Sequence, residues 1–155
     1  MKPNVAEMIS VAAIQEAELD DLAQQARNYL TSYRWCRNIR DAHLAFGVGG
    51  VIGVFLFAIE PAEAGVDDTL WVVVGDLPPA YLVCDKTPDW RGALHNYIYE
   101  MRRWIAAVRS GASLDDVIPV AAAATTEHAD MLESRLDFIQ QQLIDDPSIQ
   151  LDRNA

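Results

Sequence analysis

The sequence predicts an α+β fold: a three-stranded antiparallel meander at about 51–60, 69–75 and 80–85, packed against helices from both ends of the chain. Three observations carry that expectation. Val51–Ile59, Leu70–Val74 and Ala80–Cys84 are apolar runs of strand length, dense in β-branched and aromatic residues. Turn-forming stretches separate them, Glu60-Pro61 through Asp68 and then Gly75-Asp76-Leu77-Pro78-Pro79. Outside this region the apolar residues recur at three- and four-residue intervals, the period of a helix.

With 155 residues, 51% hydrophobic and 23% charged, the chain has a globular composition and the length of one domain, with 1–13 and 146–155 as loose ends. A net charge of −11 argues against free nucleic acid, whose phosphates demand a basic face, and against an anionic membrane surface. It suits a basic protein partner drawn in by long-range attraction, and it also serves solubility. Cys36 and Cys84 are far apart in sequence, as fits a reducing compartment. Met1–Glu7 lacks the basic and long apolar regions of a secretory signal. Leu44–Ile59, the one stretch that tempts a membrane assignment, is too short to span a bilayer and holds four glycines; it reads as a loop leading into a buried strand. The expected location is the bacterial cytoplasm.

Residues 1–13 are weakly patterned and read as a loose arm or a short first helix. From Ile14, the residues Leu19, Leu22, Ala23, Ala26, Tyr29, Leu30, Tyr33 and Cys36 follow one helical face. Acidic residues at its start and Arg27, Arg34, Arg37 and Arg40 toward its end complement the helix dipole. This helix is expected to stop before Gly47, with Trp35 to His43 as its last turns. Gly47-Val48-Gly49-Gly50-Val51-Ile52-Gly53 has the look of a phosphate-binding loop, but Ile52 stands where the third glycine belongs. No Lys-Ser/Thr pair follows, and a strand rather than a helix comes next. The glycines therefore read as plain backbone flexibility or close packing where the strand begins.

Further on, Thr87 is expected to cap a helix with Pro88 at its first position and Asp89 facing its positive end. Leu94, Tyr97, Ile98, Met101, Ile105 and Val108 form its apolar stripe, and Gly111 stops it. Ser113-Leu114-Asp115-Asp116 has the form of a capping box opening one helical turn before Pro119. Val120–Ala124 reads as an extended linker, with an extra edge strand as the alternative. The last helix is expected from about Thr126 to Ile144, with Ala129, Leu132, Leu136, Ile139 and Leu143 inward.

Chemistry-bearing residues are sparse. Cys36, His43, Cys84 and His95 include no pair at a zinc-finger or HExxH spacing, so no metal is expected. Cys84 precedes a helix whose dipole favours a thiolate, and His95 on that helix is a candidate base. Against this, no local signature of a Cys–His enzyme is present, and Cys84 reads as a core residue closing the third strand. Asp76 and Asp85 bracket that strand and stand too far apart for an acid–base pair. No catalytic residue and no cofactor are expected.

Aromatic and arginine side chains supply the clue with most content. Trp35, Trp71, Trp90 and Trp104, with Tyr81, Tyr97 and Tyr99, gather near the predicted meander edge and the helix beside it, and ten of the twelve basic residues are arginine. Such side chains anchor protein interfaces; equally, they cover the edge of a core and pair with carboxylates. Trp90, Tyr99, Arg102 and Arg103 lie off the apolar stripe of their helix. The candidate interface or pocket residues are Trp35, Cys36, Arg37, Asp76, Pro78, Pro79, Tyr81, Cys84, Trp90 and His95. The leading expectation is a small non-catalytic interaction protein, by class an immunity protein, adaptor or chaperone-like factor, with a protein partner or self-association. The alternatives are a small-molecule-binding or enzymatic domain, its pocket lined by Trp35, Cys36, Cys84 and His95 near the Gly47–Gly53 loop, and a structural homodimer.

Overall fold

The computed structural model describes residues 3–85, 87–120 and 122–144. They form an α+β protein with a five-stranded antiparallel sheet and three α-helices. Contacts along the backbone divide the chain into two compact units, Met1–Ala93 and Leu94–Ala155.

In the first unit the strands are β1 (Ile9–Ser10), β2 (Cys36–Val48), β3 (Ile52–Pro61), β4 (Thr69–Gly75) and β5 (Ala80–Val83). They lie in sequence order, each antiparallel to the next. The predicted meander is β3–β4–β5: Phe55 sits opposite Val72, and Val72 opposite Tyr81. Ile52, Val54 and Phe55 of β3 and Trp71, Val72 and Val73 of β4 are wholly buried, on both faces of the sheet. Burial of both faces is why these strands appear as continuous apolar runs rather than as alternating ones. Helix α1 (Ala17–Thr31) contacts β2, β3 and β4. Its Leu22, Ala23, Ala26 and Leu30 share one core cluster with Leu44, Phe55, Phe57, Leu70, Val72 and Val74. Each fully buried leucine or phenylalanine there contributes about 1.5–3 kcal/mol.

The sheet has two strands more than the sequence predicts. Ile9–Ser10, inside the expected loose arm, pairs with β2, Ile9 opposite Leu44 and Ser10 opposite His43. Cys36–Val48, expected as the end of a helix and a loop, is β2 itself; α1 already stops at Thr31. The cause is visible in the register. Against β3, β2 carries an extra residue between Cys36 and Asn38, between Ile39 and Asp41, and between Leu44 and Phe46. The side chains it turns toward α1 are therefore Cys36, Ile39, Ala42 and Leu44, so the inward spacing opens from two residues to three and imitates a helix. Beyond β1, the outer side of β2 has no strand neighbour among the described residues. Bulges spoil such an edge for pairing with another chain.

The Gly47–Gly53 run is a hairpin between two strands, closed by Val51 N–H donating to Val48 O at 2.9 Å with Gly50 at φ 74. At the end of β4, Gly75 adopts φ 143, and a Cβ there would collide with the Val51 carbonyl oxygen. Ahead of helix α2 (Trp90–Ser110), the cap is Asp89 rather than Thr87: its carboxylate accepts from Gly92 N–H at 2.8 Å, while the Thr87 hydroxyl donates to Val83 O at 2.8 Å. The Thr87 carbonyl accepts the buried Trp71 Nε1–H at 2.7 Å, fixing this segment to β4.

In the second unit, Leu94, Tyr97, Ile98, Met101 and Ile105 of α2 are buried, as their stripe predicts. Ser113 does not open a helix; Leu114–Val117 is a turn in which Asp115 N–H donates to Ser113 Oγ. Helix α3 (Thr126–Ile139) is capped by Thr125, whose Oγ1 accepts from His128 N–H, and runs on as a π-turn through Ile144. Ala129, Leu132, Leu136, Ile139 and Leu143 are buried, as predicted. Arg109 pairs with Asp130 at 2.6 Å and Glu133 at 2.9 Å, and Arg102 with Asp137 at 3.0 Å, so the two helices run antiparallel. The Arg109 guanidinium holds the Glu133 carboxyl below the usual carboxylate range. That contribution is present above the ordinary carboxyl pKa and lost as pH falls; at the surface its weight is small. The linker at 120–124 falls partly, and the tail at 146–155 wholly, outside the described residues. Among the described residues no helix is long and apolar enough to cross a membrane.

Two substitutions test this account by urea denaturation. Gly75→Ala is expected to cost about 1–3 kcal/mol in backbone strain, with the clash against Val51 adding to it. Trp71→Phe leaves the buried Thr87 carbonyl without its donor and is expected to cost about 1–3 kcal/mol; an unchanged midpoint in either variant contradicts the packing described.

Candidate functional site

Where α1 stops, the turn Ser32–Trp35 folds Tyr33 and Trp35 back beside Tyr29, and Tyr81 reaches them from β5. Tyr81 pairs with Val72, so it points to the α1 side of the sheet. Tyr33 stacks on Trp35 with ring centroids 4.9 Å apart. Tyr81 meets Tyr33 at 5.4 Å and Trp35 at 5.0 Å, both edge to face, and Tyr29 stands perpendicular to Tyr33 at 5.4 Å. These are the separations at which aromatic pairs attract. All four rings are partly exposed. The Tyr33 hydroxyl donates to that of Tyr29 at 3.2 Å. Burial and that bond push the Tyr29 phenol up, and burial together with Tyr33 pushes up that of Tyr81, so both stay neutral.

Farther back along α1 lies a cleft of about 300 Å³, lined by Glu18, Asp21, Leu22 and Gln25 of the helix, Gly50 of the hairpin, and Gly75 and Asp76 of the β4–β5 corner. Glu18, Leu22, Gln25 and Tyr29 follow one another at three- and four-residue steps, hence on one side of α1. The cleft and the aromatic cluster thus border the same side of the helix. On the facing side the chain covers the same ground from Asp76 through Pro78 and Pro79 to Tyr81. Among the described residues no basic side chain lines the cleft.

Of the residues singled out from the sequence, Trp35 and Tyr81 come together in the cluster, and Asp76 joins the cleft. Pro78 and Pro79 are partly exposed in the corner between them. Arg37 is one of the inserted residues of β2, exposed and 3.8 Å from Glu60. Cys36 is buried in the core under α1 and Cys84 is buried as well; neither they nor Trp35 nor His95 lines the cleft. Trp90, off the predicted stripe and a candidate interface or pocket residue, is buried and stacked on Phe46 at 4.1 Å with the Arg91 guanidinium over its ring. Trp71, Tyr97 and Trp104 are also core residues, whereas Tyr99 is exposed. His95 is exposed on α2. Tyr29 and Tyr33 escaped notice because both fitted the inward face of an overlong helix. Glu18 and Asp21 escaped it because acidic residues early in a helix are accounted for by the dipole.

The arrangement offers little for covalent chemistry. Burial pushes the Cys84 thiol up to about 11, with Asp67 and Asp85 adding to the effect, and burial raises Cys36 as well. The thiolate that a helix N-terminus favours is therefore not available near neutral pH. No group of His, Cys, Asp and Glu among the described residues is arranged to hold a metal ion. What the site offers instead is a neutral aromatic surface and, along the same helix, an acidic cleft. No protein-family profile, curated protein or solved structure matches this chain significantly.

Both thiols are expected to react slowly with an aromatic disulfide reagent in the native state and rapidly in denaturant. The folded state retains the Cys84 proton between 9.0 and about 11, where the unfolded state releases it. Stability therefore falls as pH rises through that window. Cys84→Ala should flatten this decline in urea midpoints measured against pH.

Proposed function

We propose that the protein is a non-catalytic interaction module that holds a protein partner through Tyr29, Tyr33, Trp35 and Tyr81. One observation carries this reading: four mutually packed, neutral rings from three chain segments remain partly open to solvent. Tyr and Trp dominate the energetic centres of interfaces because they bring large contact area with few torsions to immobilise. Here their mutual contacts already restrict those torsions, so less entropy is lost on binding. Arg34 and Arg37, both exposed beside the cluster, supply a polar rim of the kind interfaces carry. The free thiols Cys36 and Cys84 fit a reducing compartment, and the reading places the module in the cytoplasm.

The test uses the full chain as bait in native lysate at moderate salt, with light scattering to detect a second copy as the partner. Trp35→Ala/Tyr81→Ala is expected to lose the captured species, each truncation weakening binding by about 2 kcal/mol or more, while the far-ultraviolet spectrum stays unchanged. Recovery of the lone monomer, or equal capture by both proteins, overturns the reading.

A further inference from the structure

Resting on that reading, we propose that the partner docks as an extended, cationic segment: its apolar residues cover the Tyr29–Trp35–Tyr81 surface and a Lys or Arg side chain enters the neighbouring cleft. The two features border one side of the same helix, since Glu18, Leu22 and Gln25 of the cleft and Tyr29 of the cluster follow at three- and four-residue steps along α1. The chemistry of the occupant follows from charge complementarity. Glu18, Asp21 and Asp76 line the cleft, no basic residue among the described residues does, and the whole chain carries −11. A carboxylate or phosphate would be repelled there, whereas a cation is attracted both at long range and on contact.

The shape agrees with that choice. A cleft of about 300 Å³ lies at the small end of ligand sites and admits one long side chain. Buried Leu22 suits an alkyl stem while the carboxylates meet the charged head. The aromatic faces farther along the helix also attract cations. Spacing follows from geometry. Glu18 and Tyr29 are eleven residues apart on the helix, about 16 Å at 1.5 Å per residue. An extended strand covers that span in about five residues, so the basic side chain should stand about five positions from the apolar anchor.

The probe is a fluorescein-labelled decapeptide in a Gly/Ser background, with two arginines placed five residues from a leucine pair. It is compared with peptides carrying glutamate or norleucine in place of the arginines, and anisotropy is read against the full chain. The arginine peptide is expected to bind, and Glu18→Gln/Asp21→Asn/Asp76→Asn to weaken it at least tenfold. Removing three charges elsewhere, Glu63→Gln/Asp115→Asn/Glu127→Gln, should change it less than twofold. Asp76→Asn alone, in the exposed corner, keeps the test valid if the triple variant melts early; it should lose at least threefold. Equal losses in the cleft variant and the control would reduce the effect to net charge and overturn the proposal. Norleucine or glutamate peptides binding as tightly, and losing affinity with Trp35→Ala, would overturn the cationic specificity while leaving the aromatic interface standing. Absence of binding by all three peptides overturns the proposal, and the capture experiment with Trp35→Ala/Tyr81→Ala then decides the interface on its own.

Discussion

β2 spends thirteen residues opposite the ten of β3, and the first unit is built on that mismatch. A strand with an inserted residue bends and twists more strongly than its neighbour. Three insertions in one strand give α1 a curved sheet to lie on and keep the inward side chains, Cys36, Ile39, Ala42 and Leu44, directed at the helix. The inserted Arg37 and Arg40 are exposed, so the extra residues cost little desolvation. Remove the insertions and every side chain beyond them exchanges faces, placing Asn38 or Arg40 where the core now has apolar groups.

The same strand delivers the site. Because α1 ends at Thr31 and β2 begins at Cys36, the four residues between them must reverse the chain in a tight turn. Tyr33 and Trp35 lie in that turn, with Tyr29 one helical turn before it and Tyr81 on β5. Aromatic rings held by such a turn at the rim of a core are packed on one side and wet on the other. At the opposite end of α1, the Gly49–Val51 hairpin and the Gly75–Asp76 corner approach the helix and leave the acidic cleft. One helix thus borders both features.

Energetically the ion pairs are secondary. Arg102 and Arg109 set the register between α2 and α3 from the surface, where solvent screens such pairs and leaves them little weight. Buried Phe55, Phe57, Trp71, Tyr97 and Met101 each remove far more apolar area from water. The raised Cys84 thiol is a by-product of that burial rather than a reactive device.

Sequence alone determined β3, β4 and β5, the buried stripes of α2 and α3, and the acidity that bears on partner choice. Strands buried on both faces and helices buried on one leave patterns that survive without knowledge of their neighbours: the length of Val51–Ile59 and the turn residues that flank it mark a strand, and the spacing of Leu132, Leu136 and Ile139 marks a helix. Tertiary structure alone decided β2, the exposure of each aromatic, and the site. A bulged strand shares its three-residue spacing with a helix, and only pairing to β3 distinguishes them. Trp35 and Trp90 are the same side chain in the sequence, yet Phe46 stacks on Trp90 and buries it while Trp35 stays half open beside Tyr33. Burial is a property of what folds back against a residue: Phe46 covers Trp90 from a distant strand, whereas Tyr33 and Tyr81 pack on Trp35 and leave it half open.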